Sequence, residues 1–373
     1  MAIATVDTAP APGLDKTGSP GRPESKRYVS LDAFRGFIML TLAAEGFGFS
    51  ALQDDPTWGR VAHWFQHVPW EGGVFWDMIQ PSFMFMVGVA MPFALARRRE
   101  LGATESDNFR HVLIRALRLI VLSQVIIWVG AGSIKPQLIN VLSQIAFTYV
   151  LSYLIMQLRW RYQLVIAILL LTGWTALLFA FPGPDGPFSR RNHVGLAVDR
   201  AIFHYDYDPA YSTLNFIAST VWTLTGVWVG RLLMKSKSHG SNLIKLAGGM
   251  MVCFGVAFAL RPWIPFIKQL CTASFILYSL GWVLVMLIGF YWIIEVKGYR
   301  KWAFPLIVVG MNSIFIYFVS EVLFHWLDRA VGVFTSHYNF VGKLAPVAQA
   351  STVLLVMWCM CYWLYKRQIF FKL

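Results

Sequence analysis

The chain has 373 residues, of which 57% are hydrophobic and 14% are charged, and its formal net charge is +13. Soluble globular proteins are roughly 45–50% apolar and about 25% charged, so the composition excludes an ordinary soluble domain. The Lys and Arg residues stand mainly at the ends of apolar runs. Membrane topology explains that distribution, so no nucleic-acid partner is expected.

Residues 1–28 are rich in Pro, Gly, Ala and Lys and contain no hydrophobic run, which predicts a disordered cytoplasmic tail rather than a signal peptide. Ten apolar segments of about 20 residues follow, which is the length that crosses a bilayer. They cover about 29–52, 74–96, 111–130, 137–158, 162–181, 213–234, 243–261, 271–295, 303–326 and 344–365. The sequence therefore predicts an all-α polytopic membrane protein with about ten transmembrane helices in one domain, 29–373.

The charges of the connecting segments alternate along the chain. Basic residues dominate one set, which comprises the N-terminal tail, Arg97–Arg99, Arg159 and Arg161, Lys235 and Lys237, Lys297–Lys301 and the C-terminal KRQIFFKL. The other set contains Asp54 and Asp55 and the long connection 182–212, which is mixed in charge. Basic loops lie on the cytoplasmic side, so both termini are expected there. His67 and the long loop are then periplasmic.

The first apolar segment carries charged residues at both of its ends. Asp32 and Arg35 are spaced i, i+3 near its beginning and can pair on one helix face. Glu45 stands among glycines near its far end. Ionisable residues inside a span usually serve a function, so Arg35 and Glu45 are candidates for substrate or cofactor binding.

The segment FQHVPWEGGVFWDMIQPSFMFMVGVAMPF, 65–93, opens with a polar loop and continues as an apolar run. A carboxylate can orient an imidazole for acid–base or nucleophilic chemistry, so His67 and Asp77 are the candidate catalytic residues. Glu71 and Gln80 are candidates for binding. Pro81 lacks an N–H and is expected to kink or open the helix.

Two interpretations of this segment without a catalytic role stay open. His67 is equally compatible with an interfacial loop histidine, and Asp77 with Gln80 could form an internal hydrogen-bond network between spans. A metal site built from His67, Glu71 and Asp77 lacks a second close histidine ligand other than His63, so no metal is expected.

Later segments add polar side chains to the interior. Asn140 and Gln144 are spaced i, i+4 in the fourth segment, and Asn312 and Ser313 lie in the ninth. Hydrogen bonding between helices explains any one of them. Together with Glu45 and Asp77 they predict a polar cavity among spans one, two, four and nine.

The arginines Arg97–Arg99, with Arg115 and Arg118, exceed what topology strictly requires. Topological charge is the more economical interpretation. A phosphorylated cofactor held from the cytoplasmic side is the alternative.

Six motifs occur in one order along the chain: SLDAFRGFIM, FQHVPWEGGVFWDMIQPSFMFMVGVAM, INVLSQIAFTY, AVDRAIF, GMNSIFIYFVSEV and WLYKRQIFFKL. Together they resemble the transmembrane acyltransferase family typified by lysosomal heparan-α-glucosaminide N-acetyltransferase, over about residues 28–373. The resemblance implies transfer of an acetyl group from cytoplasmic acetyl-CoA to the amine of a terminal glucosamine across the membrane. It also implies that His67 is the essential histidine, followed by Asp77.

The sequence departs from the family pattern at the first and fourth spans. Glu45 and Gly46 stand where relatives of the lysosomal enzyme have an Asn, and Ser143 and Gln144 replace Gln and Arg. The acceptor therefore stays open between an amino sugar and another glycan. Whether His67 is transiently acetylated or acts as a general base also stays open.

The sequence thus predicts a multi-pass acyltransferase of the bacterial inner membrane, with acetyl-CoA or another acyl-CoA as donor and with a homodimer as the candidate assembly. The alternative is a transporter or flippase of a polar metabolite or sugar, whose translocation path would contain the same buried polar groups. Helices broken near Pro81 and Gly88 would favour it, but the sequence contains no visible inverted repeat. A non-catalytic scaffold is the third interpretation, and CoA binding separates it and the transporter from the enzyme.

Overall fold

The computed structural model describes residues 28–204, 210–236, 238–335 and 338–371. Within these ranges the chain is helical and has no β-strand, only two isolated bridges, which confirms the all-α prediction. The described α-helices are α1 (Val29–Ala43), α2 (Gly59–Trp64), α3 (Ile79–Glu100), α4 (Glu105–Ala131), α5 (Val141–Met156), α6 (Trp160–Ala180), α7 (Val194–Phe203), α8 (Phe216–Lys235), α9 (His239–Leu260), α10 (Ala273–Tyr291), α11 (Phe304–Met311), α12 (Ser313–Thr335) and α13 (Ala345–Lys366).

Seven of the described helices are long and apolar enough to cross a membrane, namely α3, α4, α6, α8, α9, α10 and α13. The bent pair α11 and α12 makes an eighth if it is counted as one span. Helices α1 and α5 have only 15 and 16 residues. The protein is therefore a multi-pass membrane protein. All ten predicted apolar segments contain helix, but the count of ten spans and the cytoplasmic termini stay predictions.

The first predicted segment is not one continuous helix. Helix α1 ends at Ala43, and a 3₁₀ segment, Glu45–Leu52, follows it with positive φ at Glu45, Gly46, Phe47 and Gly48. Gly46 and Gly48 adopt this conformation without a steric penalty. Gly48 also lies against the carbonyl of Pro346, where a side chain would not fit. The prediction of a helix as far as Leu52 was therefore wrong, and Glu45 lies in the break.

The ninth predicted segment is broken at Asn312, where α11 and α12 meet at an angle of 69°. The buried Asn312 side chain holds the bend against the C-terminal segment. Its Nδ2 donates to the carbonyl of Ile369 at 3.2 Å, and its Oδ1 accepts from the N–H of Phe371 at 3.1 Å. Asn312 therefore ties the bend to the end of the chain.

The sequence predicted a kink or an opening of the helix at Pro81, but α3 is continuous through this residue. It is the third residue of α3, in the first turn, where an N–H would have no partner within the α-helix. A 3₁₀ turn, Phe75–Met78, leads directly into α3. The structure thus lacks a break at Pro81, one of the two features that favoured a transporter.

Two features of the predicted tail and loop differ from expectation. Tyr28 is buried, and its hydroxyl donates to the carbonyl of Leu233 at 2.8 Å, so it belongs to the bundle. The rest of the predicted tail, 1–27, lies outside the described residues. The connection 182–212 contains helix α7, whose buried Asp199 accepts from the N–H of Thr213 at 2.8 Å.

Glycines allow two helix pairs to pack with their backbones in contact. Gly88 of α3 lies against the carbonyl of Thr223 in α8, and Gly226 of α8 lies against the carbonyl of Phe85. Gly36 of α1 and Gly310 of α11 form a similar crossing. Small residues at helix interfaces are typical of membrane bundles. Gly88 is therefore a packing residue within an unbroken helix.

Candidate active site

Asp77 lies in the 3₁₀ turn before α3, and its side chain is fully buried. Its Oδ2 accepts from the backbone N–H of Val74 at 3.2 Å and is 3.5 Å from the N–H of Val68. Burying a carboxylate is costly unless hydrogen bonds and opposite charge compensate it. The loop that precedes α3 supplies the hydrogen bonds to this carboxylate.

His67 lies in the same loop, next to the other carboxylate oxygen. Its Nδ1 is 2.7 Å from Asp77 Oδ1. A carboxylate can only accept a hydrogen bond, so this contact requires a proton on Nδ1 and leaves the lone pair on Nε2. The side chain of His67 keeps 51% of its surface accessible, whereas that of Asp77 keeps none. The pair therefore has a buried acid behind an accessible imidazole.

Lys268 completes the group from a distant part of the chain. Its Nζ is 3.4 Å from Asp77 Oδ1 and 3.0 Å from His67 Nδ1, and the residue is only 5% exposed. The buried ammonium supplies the opposite charge that the Asp77 carboxylate requires. The two buried charges pair with each other, and the accessible imidazole lies beside them.

Backbone pairing between two loops brings Lys268 to this position. Glu71 forms an isolated antiparallel bridge with Ile267, and the N–H of Gly72 donates to the carbonyl of Phe266 at 2.8 Å. The backbone carbonyls of the two residues after Lys268 accept hydrogen bonds from side chains of the helical bundle. Asn215 donates to Gln269 at 2.8 Å, and the Trp174 indole donates to Leu270 at 2.7 Å.

His67 and Lys268 line a cavity of about 440 Å³. This volume lies within the range of roughly 300–1,000 Å³ that is typical of small-molecule sites. The wall consists of Leu42, Trp76, Ile79, Gln80, Ile127, Gln137, Ile139, Asn140, Val141, Tyr211, Tyr317 and Glu321 besides these two residues. It includes the beginnings of α3 and α5, so the cavity lies at that end of the bundle.

The surroundings of His67 favour its neutral form. Burial lowers the pKa of the imidazole, the hydrogen bond to Asp77 raises it, and the Lys268 ammonium lowers it. The net result is a pKa below the ordinary value of 6.5. Near pH 7 the imidazole is therefore neutral, with a basic Nε2, which suits a nucleophile or a general base.

A second cavity, of about 590 Å³, lies along the rest of α3. Its wall includes Asp32 and Arg35 of α1, which form an ion pair, and Arg97 and Glu100 at the end of α3. Met86 lines this cavity and Gln80 lines the first one. Six residues of α-helix rise by about 9 Å, so the two cavities approach each other along α3.

The chain is similar in sequence to known proteins. The family model described as heparan-alpha-glucosaminide N-acetyltransferase, catalytic, matches residues 27–248, which is more than half of the chain. The chain belongs to this family. It is 21% identical to the mouse heparan-alpha-glucosaminide N-acetyltransferase over 94% of its length and 23% identical to the human one over 93%.

Membership in the heparan-α-glucosaminide N-acetyltransferase family confirms the resemblance in the motifs and identifies a family of membrane N-acetyltransferases. The chain spans about three fifths of the length of the curated relatives that it matches. The matched segment contains His67 and Asp77 but ends before Lys268, Tyr317 and Glu321. The cavity of this family member therefore includes residues from beyond the matched segment.

The structure brings several of the predicted site residues together. Gln80 and Asn140 line the cavity with His67, and Asn140 accepts from the Tyr317 hydroxyl at 3.4 Å. Asn140 also caps α5, since its side chain accepts from the N–H of Leu142 at 2.9 Å.

Two acids that the sequence predicted as binding residues lie near the cavity of His67 and Lys268. Glu71 is exposed and contributes its backbone to the bridge with Ile267. Glu45 is exposed and lies within electrostatic range of the cavity residue Glu321.

Other predicted residues lie elsewhere. Gln144 is buried and donates to the carbonyls of Leu138 and Thr213, so it joins α5 to the segment before α8. Asn312 and Ser313 lie at the bend between α11 and α12, and Arg35 lines the second cavity. In the described part of the chain, no three His, Cys, Asp or Glu side chains are grouped as metal ligands.

Lys268, Tyr211 and Tyr317 are cavity residues that the sequence did not single out. Lys268 had one recognisable signal. It is a single cation among apolar residues, in WIPFIKQLCT, between two apolar segments. A lysine in such a loop is usually interpreted as topological charge. Its role can be recognised only from its contacts with His67 and Asp77, which are distant in sequence.

Proposed function

We propose that this protein is a transmembrane acyltransferase that transfers the acetyl group of acetyl-CoA, or the acyl group of a related thioester, to an amino sugar or another glycan. The observation that carries the proposal is the 2.7 Å contact between Asp77 Oδ1 and His67 Nδ1 at the wall of the cavity. That contact leaves a basic Nε2 available to a reactant. The family to which the chain belongs supports acetyl transfer to nitrogen.

We further propose that the donor binds in the second cavity and the acceptor in the first. Arg35 and Arg97 line the second cavity, where each is paired with an acid, Asp32 and Glu100 respectively, and would exchange that acid for a phosphate of coenzyme A. The pantetheine arm would run along α3 and bring the thioester to His67. The acceptor would enter from the opposite membrane face, beside Glu321 and Tyr317.

The chemistry has two routes that share a neutral His67. In the first, Nε2 attacks the thioester carbon, the carbon–sulfur bond breaks, and the CoA thiolate leaves an acetyl-imidazolium. The acceptor amine then attacks that carbon, the bond to Nε2 breaks, and the amine proton is released. In the second, the acceptor nitrogen attacks the thioester carbon directly while Nε2 takes its proton, the carbon–sulfur bond breaks, and the CoA thiolate leaves.

The topology belongs to the proposal as well. We infer ten spans in the single domain 29–373, with both termini and the Arg97–Arg99 cluster on the cytoplasmic side. His67 and the 182–212 connection would then be periplasmic, in a bacterial inner membrane. Helices α1 and α5 would count as short spans.

The test is acetyl transfer by detergent-purified protein with radiolabelled acetyl-CoA. We expect wild-type protein to bind acetyl-CoA and to release CoA in the presence of glucosamine, and His67→Ala to bind it without turnover. His63→Ala is the matched control, because His63 is an exposed histidine four residues away. A radiolabelled protein adduct in wild type alone would select the two-step route.

Two outcomes would contradict the proposal. Turnover in His67→Ala equal to wild type would remove His67 from the chemistry. Absence of acetyl-CoA binding in every variant, with folded protein by size-exclusion chromatography, would remove the acyltransferase assignment itself.

A further inference from the structure

Lys268 is a buried cation for which the sequence motifs and the matched family segment give no role. It lies in the loop between α9 and α10, beyond the segment that the family model matches. Only 5% of the residue is exposed, and its ammonium contacts both members of the His67–Asp77 pair. Lysine is almost never buried unless it is paired.

The contacts of Asp77 explain why a cation is needed. The carboxylate is fully buried and receives a backbone hydrogen bond from Val74 on Oδ2. Its other oxygen, Oδ1, faces both His67 and Lys268. If Lys268 were neutral or absent, the buried carboxylate would either take up a proton itself or draw one to His67.

Each of these events would change the proton on His67. A protonated Asp77 can donate to Nδ1, which moves the imidazole proton to Nε2 and removes the reactive lone pair. An imidazolium paired with the carboxylate carries protons on both ring nitrogens and has no lone pair at all.

We propose that Lys268 is a positioning residue that keeps Asp77 ionised and thereby fixes the proton of His67 on Nδ1, with the lone pair of Nε2 toward the cavity. The geometry allows only one assignment with a charged lysine and a charged aspartate. Nδ1 donates to Oδ1, so it cannot accept from Lys268, and the ammonium donates to the carboxylate.

The electrostatic setting of His67 agrees with this role. Asp77 faces the ring from the start of α3 and Lys268 faces it from the loop before α10, so their charges offset each other. Tyr211, Tyr317 and Glu321 line the same cavity. Burial and the ammonium together hold the pKa of the imidazole below its ordinary value.

The use of this tautomer rests on the proposed acyl transfer, but the tautomer itself can be measured without any substrate. The experiment is ¹⁵N NMR of protein labelled at histidine ring nitrogens, in lipid bilayers at pH 7. The His67 resonances are identified by their loss in His67→Ala. The variants are Lys268→Met, Lys268→Gln and Lys268→Arg, and the control is Lys245→Met, which removes an exposed lysine of α9.

We expect wild type, Lys268→Arg and Lys245→Met to have a protonated Nδ1 and an unprotonated Nε2. In Lys268→Met we expect the ¹⁵N resonance of unprotonated Nε2 to disappear. It should be replaced by the resonances of the imidazolium or of the tautomer that carries its proton on Nε2. Lys268→Gln retains a polar side chain of similar length without the charge, so it gives the same test if Lys268→Met does not fold.

An unchanged Nε2 lone pair in folded Lys268→Met or Lys268→Gln would overturn the inference. A proton on Nε2 in wild type would also overturn it. A wild-type protein with the expected tautomer but no acyl transfer would instead contradict the proposed function, so the two failures are distinguishable.

Discussion

The imidazole Nδ1 of His67 and the carboxylate Oδ1 of Asp77 lie 2.7 Å apart, ten residues apart in the chain. The loop between them turns back so that the N–H of Val74 binds the second carboxylate oxygen. The carboxylate is therefore fixed on both sides, and it holds the ring in one orientation. Fixed geometry of this kind is what an acid–base or nucleophilic imidazole needs.

Asp77→Asn replaces the carboxylate with an uncharged amide, whose NH₂ group can donate to Nδ1, so the proton is no longer fixed on that nitrogen. We expect kcat for acyl transfer to fall by about 10²- to 10⁴-fold. KM for acetyl-CoA should change little, because Asp77 is buried behind His67 and is not part of the wall of either cavity. Steady-state kinetics check this, with Asp54→Asn, an exposed loop acid, as control. A rise in KM at constant kcat would contradict the assigned role.

The pH dependence of kcat/KM should have its acid limb below pH 6.5. The pKa of His67 is lowered, so the imidazole loses its proton at a lower pH than an ordinary histidine. Activity should therefore persist at pH 6.5 and fall only as the pH drops through the lowered pKa. A pH–rate profile measured in one buffer series tests this. An acid limb above pH 6.5 would mean that the attraction of Asp77 for the imidazolium exceeds the effects of burial and Lys268.

Arg97→Ala should weaken donor binding without changing the chemistry. Arg97 lines the second cavity, but its side chain is 52% exposed, so a contact with a CoA phosphate is partly screened. We expect Kd for CoA to rise by about three- to tenfold, and the acid limb of the rate profile to stay in place. Isothermal titration calorimetry with CoA measures the Kd. Arg161→Ala, an exposed arginine in the first turn of α6, should bind CoA as wild type does.

Gly88→Ala should destabilise the bundle. A methyl group at this position would overlap the carbonyl of Thr223, so α3 and α8 would have to separate. Overpacking of this kind costs about 1–3 kcal/mol. Thermal unfolding in detergent checks it. Gly255→Ala is the matched control, because its methyl group would meet no atom within 4 Å, and it should be neutral or stabilising. Equal unfolding midpoints would contradict the close crossing.

The sequence was sufficient for features that depend on local pattern. Apolar runs predicted where helices form, and the acid Asp77 soon after His67 in the sequence predicted a carboxylate that orients the imidazole. Breaks were harder to predict. The helix ends at Ala43 because four consecutive residues from Glu45 to Gly48 take positive φ, and the pattern of apolar residues continues through them. The bend at Asn312 depends on hydrogen bonds to Ile369 and Phe371.

The composition of the site was harder still. Gln144 and Asn312 are buried polar residues in apolar segments, as Asp77 is, yet their hydrogen bonds join helices and chain ends. Hydropathy and spacing do not distinguish these two uses of a buried amide. Lys268 was missed for the opposite reason, because a cation in a short loop looks like topology until its contacts, about 200 residues distant in sequence, are known.

The bridge between Glu71 and Ile267 has a consequence for biosynthesis. Asp77 is made and inserted early, whereas Lys268 emerges only after the helices from α3 to α9 have been synthesised. Until the later loop docks, Asp77 of the nascent chain does not have Lys268 beside it. We therefore expect Asp77 to stay hydrated, or in contact with insertion factors, through most of translation. Docking of the loop that carries Lys268 then both pairs the carboxylate with an ammonium and completes the proposed catalytic centre, so on this proposal folding and activation coincide.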